Sequence, residues 1–109
     1  MKNENRANDW LRQAENDFEW GKDSLRSLRY AQTCFIAQQV SEKALKALGF
    51  HRGFSKVKGH PVYKIAKALS INGEVERIAG QLDQYYISSR YPDALPSGAP
   101  FDGFLRNRR

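Results

Sequence analysis

Ala7, Leu11, Ala14, Phe18, Gly21, Leu25 and Leu28 follow one another at alternating intervals of four and three residues. No feature constrains the fold of this chain more, because that spacing returns small and apolar residues to one side of an α-helix and to neither face of a strand. A second run follows at once: Tyr30, Ala31, Cys34, Ala37, Val40, Ala44, Leu45 and Leu48 cover more than half the circumference of a helix from about Tyr30 to Phe50. Gln39, Glu42, Lys43 and Lys46 form the narrow polar strip that is left, while Gln38 and Ser41 fall inside the apolar arc. A helix apolar over so wide an arc needs neighbours on two sides, either other helices or a second subunit.

The periodicity predicts four helices and no strand. The first runs from about Asn8 to Leu28, with Asn8 or Asp9 able to cap its start. Trp10 lies at the edge of its stripe and Trp20 points to nearly the opposite face, as an interface residue would. The third opens at His60-Pro61, since proline suits a first helical turn, turns Val62, Ile65, Ala66 and Leu69 inward, and closes at Asn72-Gly73. The fourth runs from about Glu74 to Arg90, with Val75, Ile78, Ala79, Leu82, Tyr86 and Ser89 inward, until Pro92 ends it. Residues 92–109 hold three prolines and two glycines and are expected to be an irregular tail. With 109 residues the chain has the length of one domain. The expectation is therefore a single all-α domain over 1–109, an antiparallel up-and-down bundle of four main helices. Its core should hold Phe18, Cys34, Val40, Leu45, Ile65, Leu69, Ile78 and Leu82.

Charge divides the chain unevenly. The net charge is +6, yet residues 1–50 carry eight basic and seven acidic side chains. From His51 to Lys67 stand Arg52, Lys56, Lys58, Lys64 and Lys67, two histidines and no acid. Such a concentration either attracts a polyanion, nucleic acid or nucleotide, or is a solvated loop that aids solubility. One cysteine, Cys34, excludes an intramolecular disulfide and a multi-cysteine zinc site, and its apolar neighbours suggest a buried thiol rather than a nucleophile. No window approaches the ~18 apolar residues of a membrane span, so a cytoplasmic protein is expected. No dinucleotide fingerprint, phosphate-binding glycine-rich loop or His-Glu-x-x-His occurs, so neither a cofactor nor a metal is expected.

One constellation could carry chemistry: Asp83, Tyr86, Arg90, Tyr91 and Asp93 around the end of the fourth helix. Asp83, Ile87 and Arg90 share a helix face by spacing. An arginine beside aromatics can grip a phosphate bidentately and stack on a base; equally, it can pair with a carboxylate.

The string from Gln81 to Asp93 (QLDQYYISSRYPD) resembles the signature near the end of HEPN domains. Trp10 to Phe18 (WLRQAENDF) resembles the first helix of that family, Cys34 to Leu48 (CFIAQQVSEKALKAL) is similar to the heart of its second, and Gly59-His60 before an apolar helix matches its third. The likeness covers roughly residues 9 to 100. It implies a helical bundle, usually dimeric, often encoded beside a minimal nucleotidyltransferase with which it forms a toxin–antitoxin or related pair. Many HEPN proteins are metal-independent ribonucleases with an arginine followed four to six residues later by histidine. Here the matching arginine is Arg90, and Tyr91 to Pro96 contain no histidine. The imidazole that would act as acid or base is missing from its expected place, which points to a non-nucleolytic branch. Relatives of this type also carry a further helix after the Pro/Gly-rich link, whereas this sequence stops at Phe104 to Arg109. The implied function is a homodimeric binding module for a nucleotidyltransferase, nucleotide or RNA, using Asp83, Tyr86, Arg90, Tyr91, Asp93, Lys56, Lys58, His60 and Lys64. The alternatives are a ribonuclease in which His60 completes Arg90 and a structural homodimer without ligand.

Overall fold

Polar residues ahead of the first apolar stripe are helical too. In the computed structural model, which describes residues 2–57, 59, 61–88 and 98–99, helix α1 spans Lys2–Arg26, α2 Tyr30–His51, α3 Val62–Ala68 and α4 Glu74–Ser88. The described residues contain no strand, and the fold is all-α. Helix α1 thus starts six residues before Asn8. Glu4 in its first turn suits the positive end of the helix dipole, and its carboxylate lies 3.0 Å from His51 Nδ1 at the far end of α2.

That contact sets an antiparallel hairpin. Trp10 stacks on Phe50 with ring centroids 6.5 Å apart, Lys43 pairs with Asp17, and Gly21 lies against Ile36, so close that a Cβ there would stand 3.2 Å from Ile36 Cγ2. Small side chains permit this approach, and they decide which face of α1 is buried. Ala7, Ala14 and Asp17 are buried, with Gly21 and Ser24 half-buried, whereas Leu11, Phe18, Leu25 and Leu28 stay exposed. The expected stripe is therefore rotated: its small members face α2 and its large members flank the contact.

The face of α2 that meets α1 also differs from expectation. Glu42 and Lys46, assigned to an outer polar strip, are buried, while Ala44 in the apolar arc is exposed. Burial is tolerable because the charges pair: Lys46 Nζ lies 3.0 Å from Glu42 Oε2 and 5.2 Å from the Trp10 ring centroid. Ser41, inside the arc, donates to the Ala37 carbonyl at 2.9 Å, satisfying its hydroxyl locally.

Three helices end alike. After α1, Leu28 takes φ 61° and Arg29 N–H reaches the Ser24 carbonyl; after α2, Gly53 takes φ 96° and Phe54 N–H reaches Gly49; after α3, Ser70 takes φ 58° and Ile71 N–H reaches Ala66. In each, a left-handed residue turns the chain back so that free carbonyls of the last turn are used. Glycine accepts that conformation freely, and leucine and serine do not.

Helices α3 and α4 pack against each other and against α2, while α1 rests on α2. Helix α4 runs antiparallel to α2, with Asp83 beside Gln38. Of the expected core, Ile65 and Leu69 are buried and Cys34, Val40, Leu45 and Leu82 are half-buried. Phe18 and Ile78 are corrections, at 55% and 40% exposure. Among the described residues, the core that does form joins the alanines Ala7, Ala14, Ala31 and Ala47 to Ile36, Val62, Ile65, Ala66, Leu69 and Ala79. Among the described residues, no helix is long and apolar enough to cross a membrane.

Candidate functional site

Asp83 is the one member of the C-terminal constellation whose side chain lies within the described residues, and its carboxylate accepts hydrogen bonds from two other helices. Helix α3 begins at Pro61-Val62 with no side-chain cap of its own. Asp83 supplies it from α4: Oδ1 accepts the Val62 N–H at 2.7 Å and Oδ2 accepts the Tyr63 N–H at 2.8 Å. The Gln38 amide, with its residue only 1% exposed, donates to the same carboxylate at 3.2 Å, and Gln39 donates to Gln38 Oε1 at 2.9 Å. One carboxylate thus ties α2, α3 and α4 together through three donors. Tyr86 lies on α4. Its side chain, and Arg90, Tyr91, Asp93, Lys58 and His60, lie outside the described residues.

Lys56 and Lys64 are exposed, as a polyanion contact requires. Around them the basic stretch divides. At its α3 end, Lys67 pairs with Glu76 at 2.9 Å and lies 5.8 Å from the Tyr63 ring centroid. The hydrogen bond to Glu76 and its charge push the Lys67 ammonium up, and the same hydrogen bond, with the lysine's charge, holds the Glu76 carboxyl down. Lys67 is thereby neutralised, and Lys64 keeps its exposed charge. At the α2 end, Arg52 donates to the Leu69 carbonyl at 2.7 Å, joining the ends of α2 and α3, while Phe54 and Lys56 face solvent.

Asp17 and Lys43 form an ion pair between α1 and α2 that apolar periodicity does not predict. Burial pushes the Asp17 carboxyl up, but hydrogen bonds from Lys43 and Gln13 and the lysine's charge outweigh it and hold the group below the ordinary carboxylate range. Gln13, four residues upstream, donates to Asp17 Oδ1 at 2.9 Å. The sequence signal was available: Asp17 sits between Ala14 and Gly21 on the small-residue face of α1. Partial burial pushes the Cys34 thiol up, away from the thiolate that nucleophilic chemistry needs. Among the described residues, no three His, Cys, Asp or Glu side chains converge as a metal would require.

Apolar surface is the other feature of the described residues. A groove of about 270 Å³ runs between α1 and α2, lined by Phe18, Leu25, Ile36, Ala37 and Val40 among others. A second, of about 240 Å³, lies between α2 and α4, with Ala44, Leu45, Val75, Ile78 and Leu82 in its walls. Both include Ser41, so the grooves adjoin across the exposed face of α2.

Known proteins place this arrangement. The family model described as HEPN domain matches residues 7–101. The crystal structure of a Thermus thermophilus protein is similar over 94% of this chain and 83% of its own, with 38% identity and a TM-score of 0.81. That of an archaeal HEPN homologue is similar over 92% of this chain and 80% of its own, with 33% identity and a TM-score of 0.72. No curated protein matches. Helix order, the match across most of the chain and the two related structures agree, and the chain belongs to the HEPN domain family.

Proposed function

We propose that this chain is a homodimeric binding module, partner to a minimal nucleotidyltransferase in a toxin–antitoxin-type pair and able to bind nucleotide or RNA without cleaving it. The observation that supports the homodimer is the apolar surface around Ser41; the partner and the nucleic-acid ligand rest on membership of the family. Leu11, Phe18 and Leu25 repeat every seven residues along α1, so they form one exposed row; Val75 and Ile78 stand exposed on the α4 side. Contiguous apolar surface rimmed by charge marks an interaction site. A second copy is the occupant that supplies a matching surface by symmetry. Leu28 adds support. It holds a left-handed conformation that costs leucine roughly 1–2 kcal/mol, and its side chain is half exposed in the single chain.

The non-nucleolytic part rests on the sequence. Cleavage through the 2′-OH needs a base, an acid and a cation for the developing charge, and no imidazole follows Arg90 within six residues. The test incubates purified protein with structured and single-stranded RNA in EDTA, beside Arg90→Ala and His60→Ala variants. Intact RNA is the expected result. Cleavage abolished by both substitutions would establish the ribonuclease reading instead. Recovery of the tagged chain from its native cells tests the partner: a minimal nucleotidyltransferase should accompany it, and its absence would remove that part.

A further inference from the structure

We propose that the turn following α2, residues 52–57, is a stacking site for single-stranded nucleic acid, with Phe54 as the platform and Arg52 and Lys56 as phosphate contacts. This rests on the reading above that the chain binds RNA or nucleotide, and it names the site and the form of the polymer.

The backbone of the turn is held at both ends of its bend. Gly53 N–H donates to the Phe50 carbonyl and Phe54 N–H to the Gly49 carbonyl, each at 3.0 Å, with Gly53 at φ 96°. In such helix ends the residue after the left-handed glycine commonly lays an apolar side chain on the last turn. Here that place is taken. Gly49 has no side chain to meet, and Val57 folds over it, its Cγ2 only 2.5 Å from where a Gly49 Cβ would stand. Phe54 is left 39% exposed on a fixed backbone. An aromatic ring carried on a fixed backbone and partly open to solvent can take a base by stacking, and such stacking is tolerant of sequence.

The charges agree with a polyanion. Arg52 uses one donor on the Leu69 carbonyl, which fixes the guanidinium two residues from Phe54 and leaves its other N–H groups for a phosphate. Lys56 follows two residues beyond Phe54 and is exposed. The stretch 51–67 contains no acid. From outside the stretch Glu4 reaches this end, its carboxylate 3.0 Å from His51 Nδ1, on the far side of Arg52 in sequence from Phe54. Tyr63, the other exposed aromatic of the stretch, is excluded as the platform, since the Lys67–Glu76 pair beside it brings a carboxylate where a phosphate would lie. A duplex keeps its bases stacked inside and offers the ring nothing, so the ligand is single-stranded.

Fluorescence anisotropy with a labelled 12-nucleotide single strand, as RNA and as DNA, beside the matched duplex and a polyglutamate of similar charge, tests the site on the full chain. Either single strand should bind more tightly than duplex or polyglutamate. Phe54→Ala should weaken it roughly 5- to 150-fold, the range of one lost base stack, and Phe54→Trp should restore it. Arg52→Ala with Lys56→Ala should lower the slope of log affinity against log salt by roughly 1.4. Arg26→Ala, at the other end of the α1–α2 hairpin, should change nothing. Unaltered binding by Phe54→Ala, equal binding of duplex or polyglutamate, or no binding by the parent would overturn the proposal. Strand cleavage would instead overturn the non-nucleolytic reading and leave the effect of Phe54 on affinity to be judged by itself.

Discussion

The Asp83 carboxylate on α4 accepts the Val62 backbone N–H at 2.7 Å and so caps a helix twenty-one residues upstream. A residue that looks in sequence like a ligand contact is the point at which α3 is fastened to α4. Asp83→Ala removes the cap, worth about 1 kcal/mol, and takes a partner from the buried Gln38 amide, worth about 1–3 kcal/mol more. Urea unfolding should show a loss of about 2–4 kcal/mol, and Asp83→Asn, which keeps an acceptor oxygen, a smaller one. An Asp83→Ala protein as stable as the parent would refute the capping role.

Stability should fall with acid through Asp17. Its folded value lies below the ordinary carboxylate value near 3.8. Between the two values the unfolded chain holds more protons, so stability rises with pH there. The contribution is complete above the unfolded value and is lost as pH drops through the folded one. Urea midpoints measured from about pH 5 down to about pH 2 should show this slope, and Asp17→Asn should flatten it. An equal slope in the variant would assign acid sensitivity to other groups.

Gly49→Ala should destabilise the fold. The added Cβ would meet Val57 Cγ2 at 2.5 Å, and valine has a single stiff rotor with which to yield. Overpacking of this kind costs typically about 1–3 kcal/mol, read as a lower thermal midpoint. Unchanged stability would mean that the 52–57 turn is not held against α2.

Charge on the apolar face should separate the subunits while sparing the fold. Phe18→Glu and Ile78→Lys alter side chains that are already exposed in the single chain. Light scattering should report a dimer for the parent, with an interface above roughly 1,200 Å² in total, and a monomer for each variant with unchanged helicity. A monomeric parent at micromolar concentration would remove the dimer proposal.

Among the described residues, periodicity alone determined the number and order of the helices. The α2 start at Tyr30 and the α4 start at Glu74 fall where the apolar spacing and Asn72-Gly73 place them, because start and stop signals act on the local backbone. Family membership was legible for the same reason, carried by strings such as the one from Gln81 to Asp93. Which faces of α1 and α2 are inside was decided only by tertiary structure, whereas Val62, Ile65, Ala66 and Leu69 of the third helix are buried as their spacing places them. A stripe of spacing four and three contains both Ala14 and Phe18, and hydropathy cannot choose between them. The choice fell to distance, since α1 approaches α2 through Ala7, Ala14 and Gly21, and the larger residues are pushed to the rim. Charge followed the same logic. Glu42, Lys46 and Asp17 are polar in any one-dimensional reading, yet each is buried because a partner from the same helix or its neighbour cancels its charge. Asp83 became a cap because α3 has no side-chain cap of its own and α4 passes its first turn, a meeting of residues 62 and 83 that no local pattern encodes.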